Sequence, residues 1–223
     1  MLTLSEVTSL AGEEGNFTVT VLQQPRYVDV EKCIACGLCA EKCPKKVDDV
    51  YNEKLIKRKA IYVPYPQAVP LKYTIDAENC IYLEKGKCGA CEKYCPSGAI
   101  NFSDTQKTLT LQVGSVILAP GFKTFDPVGL DNYPYADLPD VVTSLEFERI
   151  LSATGPYSGH LMRPSSIRGK NPAGKSPQKI AWMQCVGSRD INCSDNGYCC
   201  LLYTSPSPRD HLLHLVCRLL LEK

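Results

Sequence analysis

Histidine is almost missing from this 223-residue chain. His160 is the only one before position 211, so an imidazole-based acid–base mechanism has almost no material to work with. Net charge is missing as well, with 25 Lys and Arg against 24 Asp and Glu. No long-range field draws the chain onto nucleic acid or an acidic lipid surface. The opening MLTLSEVTSLAGEEG has no basic start and no continuous apolar stretch, and reads as neither a secretory signal nor an anchor. The expectation is a cytoplasmic protein with no membrane span. There is no CxxCH for haem attachment, and the GxGxxG fingerprint of dinucleotide-binding domains is absent.

Cysteine, by contrast, is abundant: of thirteen, eight fall between positions 33 and 95. Without an export signal, closely spaced runs of this kind point to metal rather than disulfides. The first run, CIACGLCAEKCP, places Cys33, Cys36, Cys39 and Cys43 in the CxxCxxCxxxCP pattern of bacterial ferredoxins, in which the fourth cysteine serves the other cluster. The second run supplies Cys80, then Cys88, Cys91 and Cys95 followed by Pro96, so that CGACEKYCP repeats the end of the first. Crossed ligation follows from that symmetry. Cys33, Cys36, Cys39 and Cys95 hold one [4Fe-4S] cluster, and Cys80, Cys88, Cys91 and Cys43 hold the other. The long gap from Cys80 to Cys88 is expected to bulge outward, which leaves Cys80 the least secure ligand. Gly37, Gly86 and Gly89 are expected to offer close backbone approach and amide donors to sulfide. Structural zinc held by four-cysteine sites is the alternative; its signature is separated CxxC pairs, and two triplet-plus-one runs ending in Cys-Pro favour iron and sulfur.

Around this region the periodicity is that of a host domain. Asn16 to Leu22 (NFTVTVL) alternates as a half-buried strand leaving a glycine turn. Thr108 to Gln112 (TLTLQ) also alternates, Ser115 to Ala119 (SVILA) reads as a buried strand, and Lys179 to Gln184 (KIAWMQ) as another. Ser144 to Ser152 (SLEFERILS) predicts a short amphipathic helix with Leu145, Phe147 and Leu151 on one side. The proline-rich Tyr62 to Pro70 (YVPYPQAVP) reads as packing over a cluster, and Lys57, Arg58 and Lys59 as a solvated face.

A succession of segments, SLAGEEGNFTVTV, CIACGLCAEKCP, KRKAIYVPYPQAVPLKYTID, KGKCGACEKYCPSGAI, TSLEFERILSATGP and QCVGSRD, resembles the A subunit of heterodisulfide reductase, an iron-sulfur flavoprotein. The related A subunit of the quinone-interacting oxidoreductase complex is similar. The resemblance covers residues 1 to 199. It implies an α+β protein: a two-cluster ferredoxin-like module inserted in a partial α/β FAD-binding domain of the thioredoxin-reductase type. On this reading residues 1–27 are flavoprotein strands, 28–103 the ferredoxin-like insert and 104–199 the flavoprotein continuation. SVILAPGF, residues 115 to 122, resembles the strand-then-turn element that closes such FAD domains, which makes Ala119 and Gly121 the expected flavin contacts. The main FAD fingerprint is expected upstream of residue 1. QCVGSRD carries only Gly187 of a second glycine-rich loop, so NAD(P) binding is not supported. Cys185, Cys193 and Cys199 are candidates for a further cluster.

The function so implied is electron transfer through two [4Fe-4S] clusters, within a flavin-based oxidoreductase subunit whose partners are B- and C-type subunits or hydrogenase- and dehydrogenase-linked donors. A stand-alone ferredoxin-type carrier and a zinc-held interaction module are the other readings. Residues 200–223, CLLYTSPSPRDHLLHLVCRLLLEK, back-translate to a string that looks like a sequencing-library adapter. They read as a non-native tail in which Cys217 is no ligand.

Overall fold

The structure is a computed structural model that describes residues 1–121, 124–130, 133–165, 176–183 and 186. The chain forms two units, Met1–Pro120 and Gly121–Lys223. Among the described residues no helix is long and apolar enough to cross a membrane.

The first unit contains a three-stranded antiparallel sheet in the order β1 (Ser5–Glu13), β2 (Asn16–Gln23), β7 (Lys107–Val113). The alternation of NFTVTVL and TLTLQ gives β2 and β7 much as expected. Phe17, Val19 and Val21 on β2 face Val113, Leu111 and Leu109 in register, an apolar row of the kind that fixes strand pairing. Thr18 and Gln112 meet by a 3.0 Å side-chain hydrogen bond on the other face. β1 joins β2 through a tight turn at Glu14 and Gly15, with a bulge between Val7 and Ser9. Every residue of β1 is exposed.

β2 and β7 are direct neighbours, yet residues 24–106 lie between them in sequence. That segment folds as the cysteine module. At its neck the Asp104 carboxylate accepts the amides of both Arg26 and Tyr27, at 3.0 and 3.3 Å.

The module is an internal duplication that reaches further than the cysteine runs. VDVEKC, residues 28–33, matches IDAENC, residues 75–80. The structure uses the two alike: the Asp29 amide donates to the Ala99 carbonyl at 2.7 Å, and the Asp76 amide to the Ala60 carbonyl at 2.8 Å. Each half is thus closed by a short antiparallel contact. Val28 bridges Ile100 in one, and β5 (Ile61–Tyr62) pairs β6 (Thr74–Ile75) in the other. Each half also carries a short helix with a ligand-type cysteine buried in its first turn, α1 (Leu38–Lys42) with Cys39 and α3 (Ala90–Lys93) with Cys91. Gly37 and Gly89 precede these helices with φ of +86° and +71°, a left-handed conformation that glycine adopts without a Cβ clash.

Two insertions break the symmetry. Cys80 to Cys88 contains α2 (Ile81–Lys85), closed by Gly86. Between Cys43 and Ala60 stands a hairpin of β3 (Lys46–Asp48) and β4 (Lys57–Lys59). The buried centre of the module comprises Val28, Ile61, Ile75 and Ala99 with Cys33, Cys39, Cys80 and Cys91. Half of that centre is thiol, and Tyr27, Tyr73, Tyr82, Leu83, Ile100 and Phe102 pack against it.

In the second unit, Thr143 caps α4 (Ser144–Leu151) in a full capping box with Glu146. Ile150 is its buried residue and Leu151 is 45% exposed, which corrects the expected buried face. Phe147 meets Trp182 edge-on with ring centroids 4.5 Å apart. Two expected strands do not form. Residues 115–120 are irregular, with Ile117 91% and Leu118 83% exposed, and 179–183 are irregular too. Among the described residues neither run has a neighbouring strand to hydrogen-bond with, and apolar character alone does not make a strand.

Candidate metal centre

Two cavities in the module are each lined by four cysteines drawn from both runs. The first is lined by Cys33, Cys36, Cys39 and Cys95. The second is lined by Cys43, Cys80, Cys88 and Cys91. The structure therefore brings together the two sets that the duplication suggested. Cys80 lines its cavity and is buried. Exposure follows one order in both sets, from first to fourth cysteine: buried, exposed, buried, half-buried.

The helices explain this crossing. In each half the first three cysteines stand before or within the short helix, and the fourth follows its last turn. Cys43 ends α1 in an extended conformation, its amide returning to the Ala40 carbonyl at 3.2 Å, and its side chain faces the other half's cavity. Cys95 stands after α3 in the same way and reaches the first cavity.

The electrostatics follow the same partition. Burial pushes the Cys39 thiol up to about 11, and the charges of Cys33, Cys36 and Cys95 add to that shift. Burial pushes Cys91 up to about 12, with Cys80 the next cause and Cys43 a smaller one. Tyr73 is raised by burial and then by Cys39, Cys36 and Cys33. Cys95 goes the other way. Desolvation alone would raise it, but hydrogen bonds from Ala99, Ser97 and Gly98 hold it below the ordinary thiol value. Buried thiols crowded on like charge bind cations by exchanging protons for metal, and a cation at their centre relieves the repulsion. Among the described residues no three His, Cys, Asp or Glu side chains converge to hold a single metal ion.

Aromatic rings and cations complete the surroundings. Tyr73 lines the first cavity and Tyr82 the second, where Tyr82 stacks on Phe102 at 3.9 Å between centroids. The Cys80–Cys88 segment does not simply bulge outward: α2 turns Tyr82 and Leu83 onto the core and leaves residues 84–88 exposed. The Gly86 amide closes α2 onto the Tyr82 carbonyl at 2.8 Å, so it is not the donor to sulfide expected of it. The proline-rich stretch also lies elsewhere than expected, since Tyr65 stacks on Tyr51 and Tyr62 lies under Arg58.

The basic triplet is not a solvated face. Only Lys57 is exposed, beside Asp48. Arg58 stacks on Tyr62 and pairs with Asp76 at 2.9 Å, with side chains 16% and 15% exposed. Lys59 donates to the Cys43 carbonyl, and Lys72, which sequence reasoning missed, donates to the Cys33 carbonyl at 2.5 Å. No motif announces such contacts, because they join segments distant in sequence. Ala119 and Gly121 are exposed, Gly121 with φ of +72°. Cys185, Cys193, Cys199, Cys217 and the tail from residue 200 lie outside the described residues.

Comparison with known proteins agrees with the donor set. Residues 32–99 match the 4Fe-4S dicluster domain family. The chain is 43% identical over 199 residues to the iron-sulfur A subunit of the CoB–CoM heterodisulfide reductase of Methanocaldococcus jannaschii, an alignment covering 89% of this chain and 28% of that protein. It is 37% identical over 190 residues to the A subunit of the H2:CoB-CoM heterodisulfide,ferredoxin reductase of Methanothermobacter marburgensis (85% and 27%). To the A subunit of the ferredoxin:CoB-CoM heterodisulfide reductase of Methanosarcina mazei it is 36% identical over 191 residues (85% and 23%). The chain thus spans about a quarter of the length of these relatives. The dicluster match and the similarity of most of this chain to about a quarter of these A subunits make it an iron-sulfur, electron-transferring segment that resembles heterodisulfide reductase A subunits.

Proposed function

We propose that this chain relays single electrons through two [4Fe-4S] clusters, one held by Cys33, Cys36, Cys39 and Cys95 and the other by Cys43, Cys80, Cys88 and Cys91. The observation that carries this reading is the lining of the two cavities, three cysteines of one run and the fourth of the other in each. Two triplet-plus-one cysteine runs, each ending in Cys-Pro, favour iron and sulfur over a structural zinc site, whose signature is separated CxxC pairs. A bound cluster supplies reversible one-electron chemistry. The chain's own part is to fix four thiolates around each site, to exclude water with Tyr73 and Tyr82, and to direct hydrogen bonds and cations at the ligand loops.

In the full-length protein we place residues 28–103 as the ferredoxin-like insert, with 1–27 and 104–199 contributing to an FAD domain in which Ala119 and Gly121 lie against the flavin. Electrons pass between that flavin and partner subunits of the B and C type, or hydrogenase- and dehydrogenase-linked donors. Similarity to the heterodisulfide reductase A subunits supports these wider assignments, and the adjacency of β2 and β7 on either side of the module supports the insertion.

Anaerobic reconstitution of the chain with iron and sulfide tests the core of the proposal. The expected product is brown, carries about eight irons and eight sulfides per chain, and gives a paramagnetic signal on reduction. A colourless product with bound zinc and no acid-labile sulfide refutes it. Cys95→Ala should damage the cluster held by Cys33, Cys36 and Cys39; loss of only the other one refutes the crossed assignment.

A further inference from the structure

Because the module is duplicated, each half serves as an internal control for the other, and the halves differ at their fourth cysteine. The Ala99 amide donates to Cys95 Sγ at 3.3 Å, and Ser97 Oγ lies 3.6 Å from the same sulfur. Ala60 matches Ala99 by symmetry, yet its amide donates to the Lys45 carbonyl at 3.2 Å. Cys43 Sγ lies 3.7 Å from that same carbonyl. One sulfur therefore accepts hydrogen bonds, while its counterpart faces the negative end of a peptide dipole. The cause is chain length. The short link from Cys95 to Ala99 turns the amide onto sulfur, whereas the β3–β4 hairpin between Cys43 and Ala60 carries the matching amide away.

Other differences between the two sites nearly balance. Exposure follows the same order in both sets. Each set has one lysine on a ligand carbonyl, Lys72 on Cys33 and Lys59 on Cys43. The arginines differ: Arg26 acts on Cys33, whereas the charge of Arg58 is met by Asp76, which favours the first site as well. Donors to a ligand sulfur favour the state with more negative charge and so raise the reduction potential.

We infer that the two clusters are unequal, and that the one held by Cys33, Cys36, Cys39 and Cys95 has the higher potential and takes the first electron. This rests on the cluster reading above. Each step moves one electron from a low-potential one-electron donor and takes [4Fe-4S]2+ to [4Fe-4S]+, with no bond made or broken. A singly reduced chain then keeps its electron on the side of exposed Cys36, and passage to the Cys80 side is uphill.

The test is an anaerobic dithionite titration of the reconstituted 223-residue chain, followed by electron paramagnetic resonance. Two one-electron waves are expected. Ser97→Ala should move the higher wave downward and leave the lower one in place; Cys95→Ala should remove the higher wave. A single wave for both electrons, or a Ser97→Ala shift confined to the lower wave, overturns the inference. If Cys95→Ala assembles no clusters at all, the Ser97→Ala result decides by itself. A wild-type chain that binds no iron and sulfide refutes the cluster reading itself, which separates that failure from this one.

Discussion

Replacing Arg58 with methionine tests whether the basic triplet is structural. In the fold, its guanidinium lies 3.6 Å from the Tyr62 ring centroid and 2.9 Å from the Asp76 carboxylate, both on chain that closes the second half of the module. A hydrogen bond to a charged group contributes about 1.5–3 kcal/mol, and a largely desolvated cation–π contact about 1 kcal/mol. Asp76 keeps its 3.1 Å contact from Asn79, so the carboxylate is not stranded. The expected cost of Arg58→Met is therefore about 2.5–4 kcal/mol. With a guanidinium slope of about 3 kcal/mol/M, that lowers the unfolding midpoint by roughly 1 M. The assay is the visible absorbance of the cluster-loaded chain after equal anaerobic incubation at graded guanidinium. A double-mutant cycle with Asp76→Asn should return a coupling of about 1.5–3 kcal/mol. If the Arg58 variant stays within about 0.5 kcal/mol of wild type, as surface substitutions do, the triplet is a solvated face after all and Arg58 does not hold the module closed.

Two further substitutions probe the local rules. Gly89→Ala forces a Cβ into φ of +71° at the start of α3. It should cost about 1–2 kcal/mol and lower the iron retained on the Cys80 side; unchanged iron content in chelator challenge contradicts this. Thr143→Ala removes the capping box of α4 at a cost of about 1 kcal/mol. Amide exchange in that helix should quicken about fivefold while iron content stays put, and a fall in iron would show that α4 supports the clusters.

What was legible in the sequence was whatever local pattern dictates. Cysteine spacing suggested the grouping that lines each cavity, and alternation revealed β2 and β7 because their apolar row is half-buried. β1 gave no such signal, being exposed at every residue. SVILA misled because a strand needs a partner as well as apolar side chains. The VDVEKC and IDAENC repeat was present in the letters, but its meaning lies in the matched amide contacts of Asp29 and Asp76. Lys59, Lys72 and Arg58 were not readable, since each acts on a residue 16, 39 or 18 positions away that only the folded chain brings near.

The neck held by Asp104 has one more implication. Gln23 and Lys107 face each other across the last rung of the sheet, and everything from 24 to 106 departs and returns at that rung. A segment with its ends side by side is a portable cassette: it can be cut out and the gap sealed with a tight turn, or spliced into another hairpin, without stretching either strand.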